Sequence, residues 1–294
     1  MKIIVTGSEG FIGKHVVDRL DEEGHLVFCV DLKADTDILK PETANWLRKH
    51  IPKADFIINL AGTCSTPRSF DNPLEALRNN TLATFAIMQY ARECGAKVIH
   101  TSSIKAQTDL HGMYTPYGLT KYFGELIAKE WDNCYDVPVI VNRPGTIYGP
   151  GQEGSEESGW LAWFITAAIT GKTVTINGDG KAVRDPLYVH DYVDLLVDQI
   201  NHFDLYRNVM KRGGSFNVGG GIKNRVSLND AVKFIQTLLP LEVKRGPARK
   251  GDIEQLWADN WICTESDWEP RTFWSSGIEA TIKWYQSKMA KELA

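Results

Sequence analysis

No apolar run in the 294-residue chain approaches the roughly 20 residues that a membrane-spanning helix needs, so no membrane association is expected. Basic residues are not in excess either. With 33 Lys and Arg against 37 Asp and Glu the net charge is −4, which leaves no cationic face to recruit nucleic acid. The cysteines, Cys29, Cys64, Cys94, Cys134 and Cys263, show none of the paired spacings of zinc or redox sites. Their apolar neighbours mark them as reduced core residues of a cytoplasmic protein, and no metal site is expected. Because Ile3 already opens an apolar run, no signal peptide is expected. Internal repeats and low-complexity tracts are also missing. The length then suits one large core, or one core with a smaller lobe grown onto it.

What the chain does have is concentrated first in Met1 to Leu20. Ile3, Ile4 and Val5 form a short apolar run that stops at Thr6, and Val16, Val17 and Leu20 follow at helical spacing. Between them Gly7, Gly10 and Gly13 fit G-x-x-G-x-x-G, a spacing variant of the dinucleotide fingerprint. The first glycine permits the tight turn, the second lets backbone approach a pyrophosphate, and the third lets the helix lie against the sheet. Phe11 and Ile12 sit at the helix start, whose free N–H groups welcome an anion. The next apolar run, Leu26 to Val30, ends in Asp31, about twenty residues after the loop, where an acid can accept hydrogen bonds from an adenosine ribose. The same carboxylate would repel a 2′-phosphate, which favours NAD over NADP.

Further along, Phe56 to Leu60 reads as a buried strand closing on Ala61 and Gly62, small residues at the edge where ligands lie in doubly wound folds. A short strand near Ile38 and a helix around Trp46 to His50 precede it. A long helix from Pro73 to Glu93 is expected to carry Leu77, Leu82, Phe85, Met88 and Ala91 inward, with Asn80 placed to hold backbone or water at the site. Lys97 to Ser103 is the next strand and ends in Thr101, Ser102 and Ser103. A helix from Tyr117 to Trp131 carries Leu119, Phe123, Leu126 and Ile127, and a strand from Val137 to Val141 closes on Asn142, Arg143, Pro144 and Gly145. Strands alternating this regularly with helices imply right-handed crossovers and a doubly wound parallel α/β sheet. Residues 1–150 are assigned to this dinucleotide-binding domain, with a helix at 190–200 and a strand at 215–218 returning to it. Residues 151–294 mainly form a smaller mixed α/β lobe for substrate, beginning with a Gly, Glu and Ser stretch that reads as a lid.

Tyr117 and Lys121 stand four apart, on one face of one helix. A nearby ammonium and a cationic nicotinamide both favour the phenolate of such a tyrosine. With a serine opposite to orient an alcohol, the chain holds the parts for moving a hydride to or from a nicotinamide.

The stretches Thr6 to Gly13, Asp31, the strand ending at Ser103, Tyr117-Gly118-Leu119-Thr120-Lys121 and Arg143 to Pro150 resemble the extended short-chain dehydrogenase/reductase family in order and spacing. Asn177 to Gly180, Val183-Arg184-Asp185, Tyr188 to Asp191, Phe216 to Gly219 and Arg249 to Asp252 look like its nucleotide-sugar epimerase and dehydratase branch. The resemblance implies a Rossmann fold with Tyr117 as catalytic base, Lys121 on the nicotinamide ribose, and Ser103, or Ser102 beside it, as the catalytic hydroxyl. It further implies that Arg184 and Arg249 hold the diphosphate of a nucleoside-diphosphate sugar, with Thr146 at the substrate loop, and that the protein pairs as a homodimer through the helices bearing Tyr117 and Pro73 to Glu93.

Departures from the family pattern bear on the reaction. Relatives that dehydrate sugars place an acidic pair directly after the catalytic hydroxyl, where this chain has Ile104 and Lys105. A C4 epimerase is therefore expected. The alternatives are a 4-keto-sugar reductase, a reductase of non-sugar ketones, which leaves both arginines unexplained, and a dinucleotide-sensing module without turnover, against which Tyr117 and Lys121 argue.

Overall fold

The computed structural model describes residues 1–107, 114–248 and 254–293. Five strands build the sheet in its first half: β1 (Lys2–Thr6), β2 (Leu26–Val30), β3 (Phe56–Asn59), β4 (Lys97–Thr101) and β5 (Val139–Pro144). The apolar runs of β1, β3, β4 and β5 are continuous because both faces are covered, and Ile3, Val5, Ile57, Ile58, Val98, Ile99, Val139, Ile140 and Val141 are all buried, whereas β2 at the sheet edge leaves Leu26 and Cys29 exposed. All neighbouring pairs among them run parallel. The strand Phe216–Val218 completes a six-stranded order in which β5, β4, β3, β1 and β2 follow it in turn. The chain reverses direction across the sheet between β1 and β3, and a doubly wound fold takes its ligand at such a switch point.

The connecting helices are α1 (Phe11–Glu22), α2 (Pro41–His50), the short α3 (Thr66–Asp71) and α4 (Pro73–Leu77), α5 (Ala83–Cys94) and α6 (Pro116–Cys134). Three differ from the sequence reading. Near Ile38 there is no strand; a 3-10 turn at Leu32–Ala34 and a polar turn lead directly into α2. The long helix from Pro73 is broken by a π-type turn at Arg78–Leu82. That extra residue rotates the face, so Met88 and Ala91 are buried as expected but Leu82 and Phe85 are 49% and 47% exposed. On α6 the polarity is inverted, with Lys121 and Glu125 buried while Phe123 and Leu126 face out. Helix Phe203–Gly213 carries no signal that the sequence reading used.

The described residues divide into two compact units. The first comprises Met1–Pro144, Val193–Asn217 and Trp261–Trp268, and the second comprises Gly145–Tyr192, Val218–Asn260 and Glu269–Ala294. The second unit has a core of its own around Tyr148, Leu161, Phe164, Ile176, Ile235, Ile278 and Ile282. Its strands are short and pair in twos: 174–177 with 243–246, 183–184 with 226–227, and 147–148 with 187–188. The Gly, Glu and Ser stretch after Gly151 is tied down, since Ser155 and Ser158 exchange backbone hydrogen bonds and Tyr285 donates to the Gln152 carbonyl.

The cysteines are free, and Cys94 alone is buried; Cys29, Cys64 and Cys134 are exposed, which corrects their assignment to the core. Among the described residues no helix is long and apolar enough to cross a membrane, and no group of three metal-ligating side chains gathers.

Candidate active site

At the end of β1 the chain turns through Gly7, whose φ of 71° lies in the left-handed region that favours glycine. The Gly7 N–H is bonded to Val30 O at 2.8 Å, and the Gly10 N–H to Gly7 O at 3.0 Å. At Gly13 a Cβ would meet Gly7 O at 2.0 Å, so only glycine allows α1 to start this close to the turn. Gly10 caps α1, and no side chain caps the helix's first turn, where Phe11 and Ile12 stand. The Ser8 hydroxyl, buried in the same loop, has no hydrogen-bond partner among the described residues. These features fit a dinucleotide pyrophosphate: a close backbone cradle, an uncapped helix start and a spare buried donor. Asp31 follows β2, with its carboxylate oxygens accepting N–H bonds from Glu9 at 3.0 Å and Lys33 at 2.8 Å. It is thereby fixed in orientation beside the glycine loop, as an acid reading a ribose must be.

The turn after β3 is built by Asn80. The Asn80 side chain, fully buried, accepts the Thr63 N–H at 2.9 Å and donates to Thr120 Oγ1 at 3.0 Å, so one amide ties the β3 loop to α6. The π-type turn is what aims Asn80 inward. Leu60 N–H is bonded to Thr6 O at 3.1 Å and Ala61 N–H to Thr6 Oγ1 at 3.3 Å, which hold this edge against β1. A Cβ at Gly62 would lie 2.7 Å from Asn80 Oδ1 and 3.4 Å from Lys121 Nζ, so the glycine leaves room for both.

Lys121 Nζ donates to the Thr101 carbonyl at 2.8 Å. Burial pulls its pKa down to about 8, partly offset by the neighbouring Cys64. Tyr117, also buried, shares a hydrogen bond with Ser103. Burial, with a smaller contribution from Cys64, holds the phenol well above its usual pKa, and the Ser103 bond opposes this only in part. In the protein alone Tyr117 is therefore a neutral phenol. Burial outweighs the pull toward phenolate that the sequence reading attributed to the ammonium.

The two serines differ. Ser102 Oγ donates to Glu125 Oε2 at 3.3 Å, whereas Ser103 accepts the Lys105 N–H at 3.2 Å and meets Tyr117. Glu125 lies in a buried cluster with Arg143, at 2.7 Å to both oxygens, Lys129 at 2.8 Å and the Ser215 hydroxyl. Burial raises its pKa, but the Arg143 and Lys129 contacts outweigh that and keep it below the usual carboxylate range. Ser102 thus serves this cluster. Next to it His100 Nδ1 accepts a hydrogen bond from the Asn59 side-chain amide at 2.9 Å and is kept neutral, its pKa pulled down to about 3 by burial and by Lys121.

Pro144 ends β5 and its carbonyl accepts the Ile104 N–H at 3.0 Å, fixing the turn that carries Ser103. In the second unit the Thr146 carbonyl accepts the Leu187 N–H at 2.8 Å, and Arg184 Nη1 donates to the Val183 carbonyl at 2.7 Å. Arg249 lies outside the described residues. Sequence reasoning missed Cys64, close enough to act electrostatically on both Tyr117 and Lys121, and Ser69, which accepts the Tyr117 N–H at 3.0 Å. Position alone, two residues past Gly62, was the available signal for Cys64.

A glycine cradle with a following acid, and a Ser–Tyr–Lys set at the ends of β4 and α6, define a dinucleotide-dependent enzyme of alcohol and ketone chemistry. The chain belongs to the NAD dependent epimerase/dehydratase family, whose model matches residues 3–219. It is 30% identical to the UDP-glucose 4-epimerase of Mycolicibacterium smegmatis, over 98% of this chain and 99% of that protein. Among solved structures, the UDP-glucose 4-epimerase of Thermotoga maritima, with UDP-glucose, is 25% identical with a TM-score of 0.81, covering 98% of this chain and all of that one, 100%. MoeE5 in complex with UDP-glucuronic acid and NAD is 27% identical with a TM-score of 0.81, over 98% of this chain and 100% of that chain.

Proposed function

We propose that the protein is an NAD-dependent epimerase that inverts C4 of a nucleoside-diphosphate sugar by transient oxidation. The observation that carries this reading is the gathering of Ser103, Tyr117 and Lys121, all buried, at the end of β4, where Lys121 Nζ donates to the Thr101 carbonyl at 2.8 Å. When bound, NAD supplies the oxidising and then the reducing equivalent at C4. Ser103 orients the C4 hydroxyl, Tyr117 takes its proton and later returns one, and Lys121 holds the nicotinamide ribose and favours the phenolate once the site is filled. Gly7, Gly10, Phe11, Ile12 and Gly13 receive the pyrophosphate and Asp31 the adenosine ribose. Leu60, Ala61, Gly62, Asn80 and Pro144 shape the wall of the cofactor site. Arg184 and Arg249 are assigned to the substrate diphosphate, whose paired oxygens suit a planar guanidinium fork, and Thr146 to the substrate loop beside it.

The exposed Leu82, Phe85, Phe123 and Leu126 on α5, α6 and the π-type turn support a homodimer formed through this face. An enzyme drawing on NAD and nucleotide sugars works in the cytoplasm. The reading is tested by incubating the purified protein with UDP-glucose and no added cofactor, and following the sugar by NMR. Formation of the C4 epimer, with NAD released on denaturation, supports it. Turnover that requires and consumes added NADPH sinks it in favour of a 4-keto-sugar reductase.

A further inference from the structure

We propose that His100 is a positioning residue for the reaction: its ring keeps the Lys121 ammonium from pairing with Glu125 and so leaves it at the end of β4 for Tyr117 and the cofactor; this rests on the epimerase reading above. Tyr117, Lys121, Glu125 and Lys129 recur every fourth residue on α6, so they line one face of it. Glu125 pairs with Lys129, one turn on, at 2.8 Å. Lys121 stands one turn before the same buried carboxylate, yet its Nζ donates to the Thr101 carbonyl instead. Opposite charges this near in a buried site attract strongly, and the order of the two residues along the helix changes that only a little. Their separation therefore needs a cause.

His100 supplies it. The ring is buried, at 1% exposure, and both Lys121 and Glu125 act on it electrostatically, so it lies near both. It stands two residues before Ser102, on the face of β4 from which the Ser102 hydroxyl donates to Glu125. A row of buried side chains fixes it. The Ala61 N–H donates to Thr6 Oγ1 at 3.3 Å, the Thr6 hydroxyl donates to Asn59 Oδ1 at 2.8 Å, and the Asn59 amide donates to His100 Nδ1 at 2.9 Å.

With Nδ1 spent on Asn59, the proton of the neutral ring is on Nε2, which has no partner among the described residues. The ring thus offers an ammonium no acceptor, and Lys121 gains nothing by turning toward it. What His100 contributes is bulk without an acceptor, which an apolar side chain of similar size also provides.

The test follows C4 epimerisation of UDP-glucose in wild type, His100→Ala, His100→Leu, and His100→Ala combined with Glu125→Gln, each first shown to melt cooperatively. Alanine opens room for the ammonium to swing back to Glu125, so kcat should fall by about ten- to a hundredfold with KM unchanged. His100→Leu loses the Asn59 bond but fills the room, and should keep most of the wild-type kcat. Adding Glu125→Gln to His100→Ala removes the attraction and should restore kcat. Wild-type turnover in His100→Ala overturns the proposal, because Arg143, Lys129, Ser215 and Ser102 would then suffice to keep Glu125 occupied. A His100→Leu variant as slow as His100→Ala overturns it too, by making the Asn59 bond the cause. Should the leucine variant not fold, the alanine and combined variants decide. If wild type does not epimerise UDP-glucose at all, the C4-epimerase reading is what fails, and NMR titration of isotope-labelled lysine then decides the proposal without turnover. An ion pair favours the ammonium, so Lys121 should titrate at higher pH in His100→Ala than in wild type and return when Glu125→Gln is added, Cys64, which also acts on it, being the same throughout. A midpoint that does not move, or a rise that survives Glu125→Gln and so reflects entering water, overturns it.

Discussion

The Lys121 ammonium donates to the carbonyl oxygen of Thr101 at 2.8 Å, deep enough in the protein that burial lowers its pKa to about 8. An unfolded lysine titrates near 10.5, so between pH 8 and 10.5 the unfolded chain binds more protons and stability rises with pH, by about 3 kcal/mol from this group. Below pH 8 the full cost of keeping the charge buried is present. Lys121→Met should therefore melt higher than wild type at pH 7 without cofactor, with the gap closing toward pH 10.5. Paired denaturant titrations across that range check this, and a gap that does not change with pH contradicts it.

Ser102 and Ser103 should separate cleanly in kinetics. Ser103→Ala removes the partner of Tyr117 and should lower kcat by about a hundredfold, in the range of a lost transition-state hydrogen bond. Ser102→Ala removes a hydrogen bond to Glu125 and should cost about 1 kcal/mol of stability with a much smaller change in kcat. Steady-state rates and urea midpoints of the two variants are the measurement; the reverse pattern would exchange their roles.

Arg143→Met strands the buried carboxylate of Glu125, leaving it with Lys129, Ser215 and Ser102. Removing one partner of a buried ion pair costs about 3–5 kcal/mol. Glu125→Gln paired with Arg143→Met should recover part of that loss, because the uncompensated charge is gone. Equal destabilisation by the single and the double variant would show that packing, not charge, dominates there.

Phe123 is 39% exposed and Phe85 47% exposed on neighbouring helices. If they meet a second copy, Phe123→Glu should shift the sedimentation coefficient from dimer to monomer, while the same change at exposed Leu205, on helix Phe203–Gly213, should not. A wild type that sediments as a monomer removes the dimer.

How much of this was legible beforehand differs by element. Continuous apolar runs such as Phe56–Asn59 became strands within a residue or two, because parallel strands covered on both faces carry no alternation to misread. The Tyr117–Lys121 pair could be singled out only because its four-residue spacing follows a glycine loop and a hydroxyl-tipped strand, and both side chains are buried. By contrast, Leu82 and Phe85 were placed inward because a straight helix of 3.6 residues per turn was assumed, and the π-type turn at Arg78–Leu82 breaks that phase. Phe123 and Leu126 were misleading for another reason. The helix spends its inner face on Lys121 and Glu125, whose burial depends on partners from distant β4 and β5, such as Thr101 and Arg143. The role of Ser69 came from a contact 48 residues away in sequence, which no local pattern encodes.

The central claim is that the phenol of Tyr117 is the group that exchanges a proton with the sugar, and Tyr117→Phe tests it most directly. The variant should fold, bind UDP-sugar and retain NAD, while C4 epimerisation followed by NMR falls by about three orders of magnitude or more, in line with losing a catalytic acid–base. Wild-type epimerisation by the variant would contradict the account.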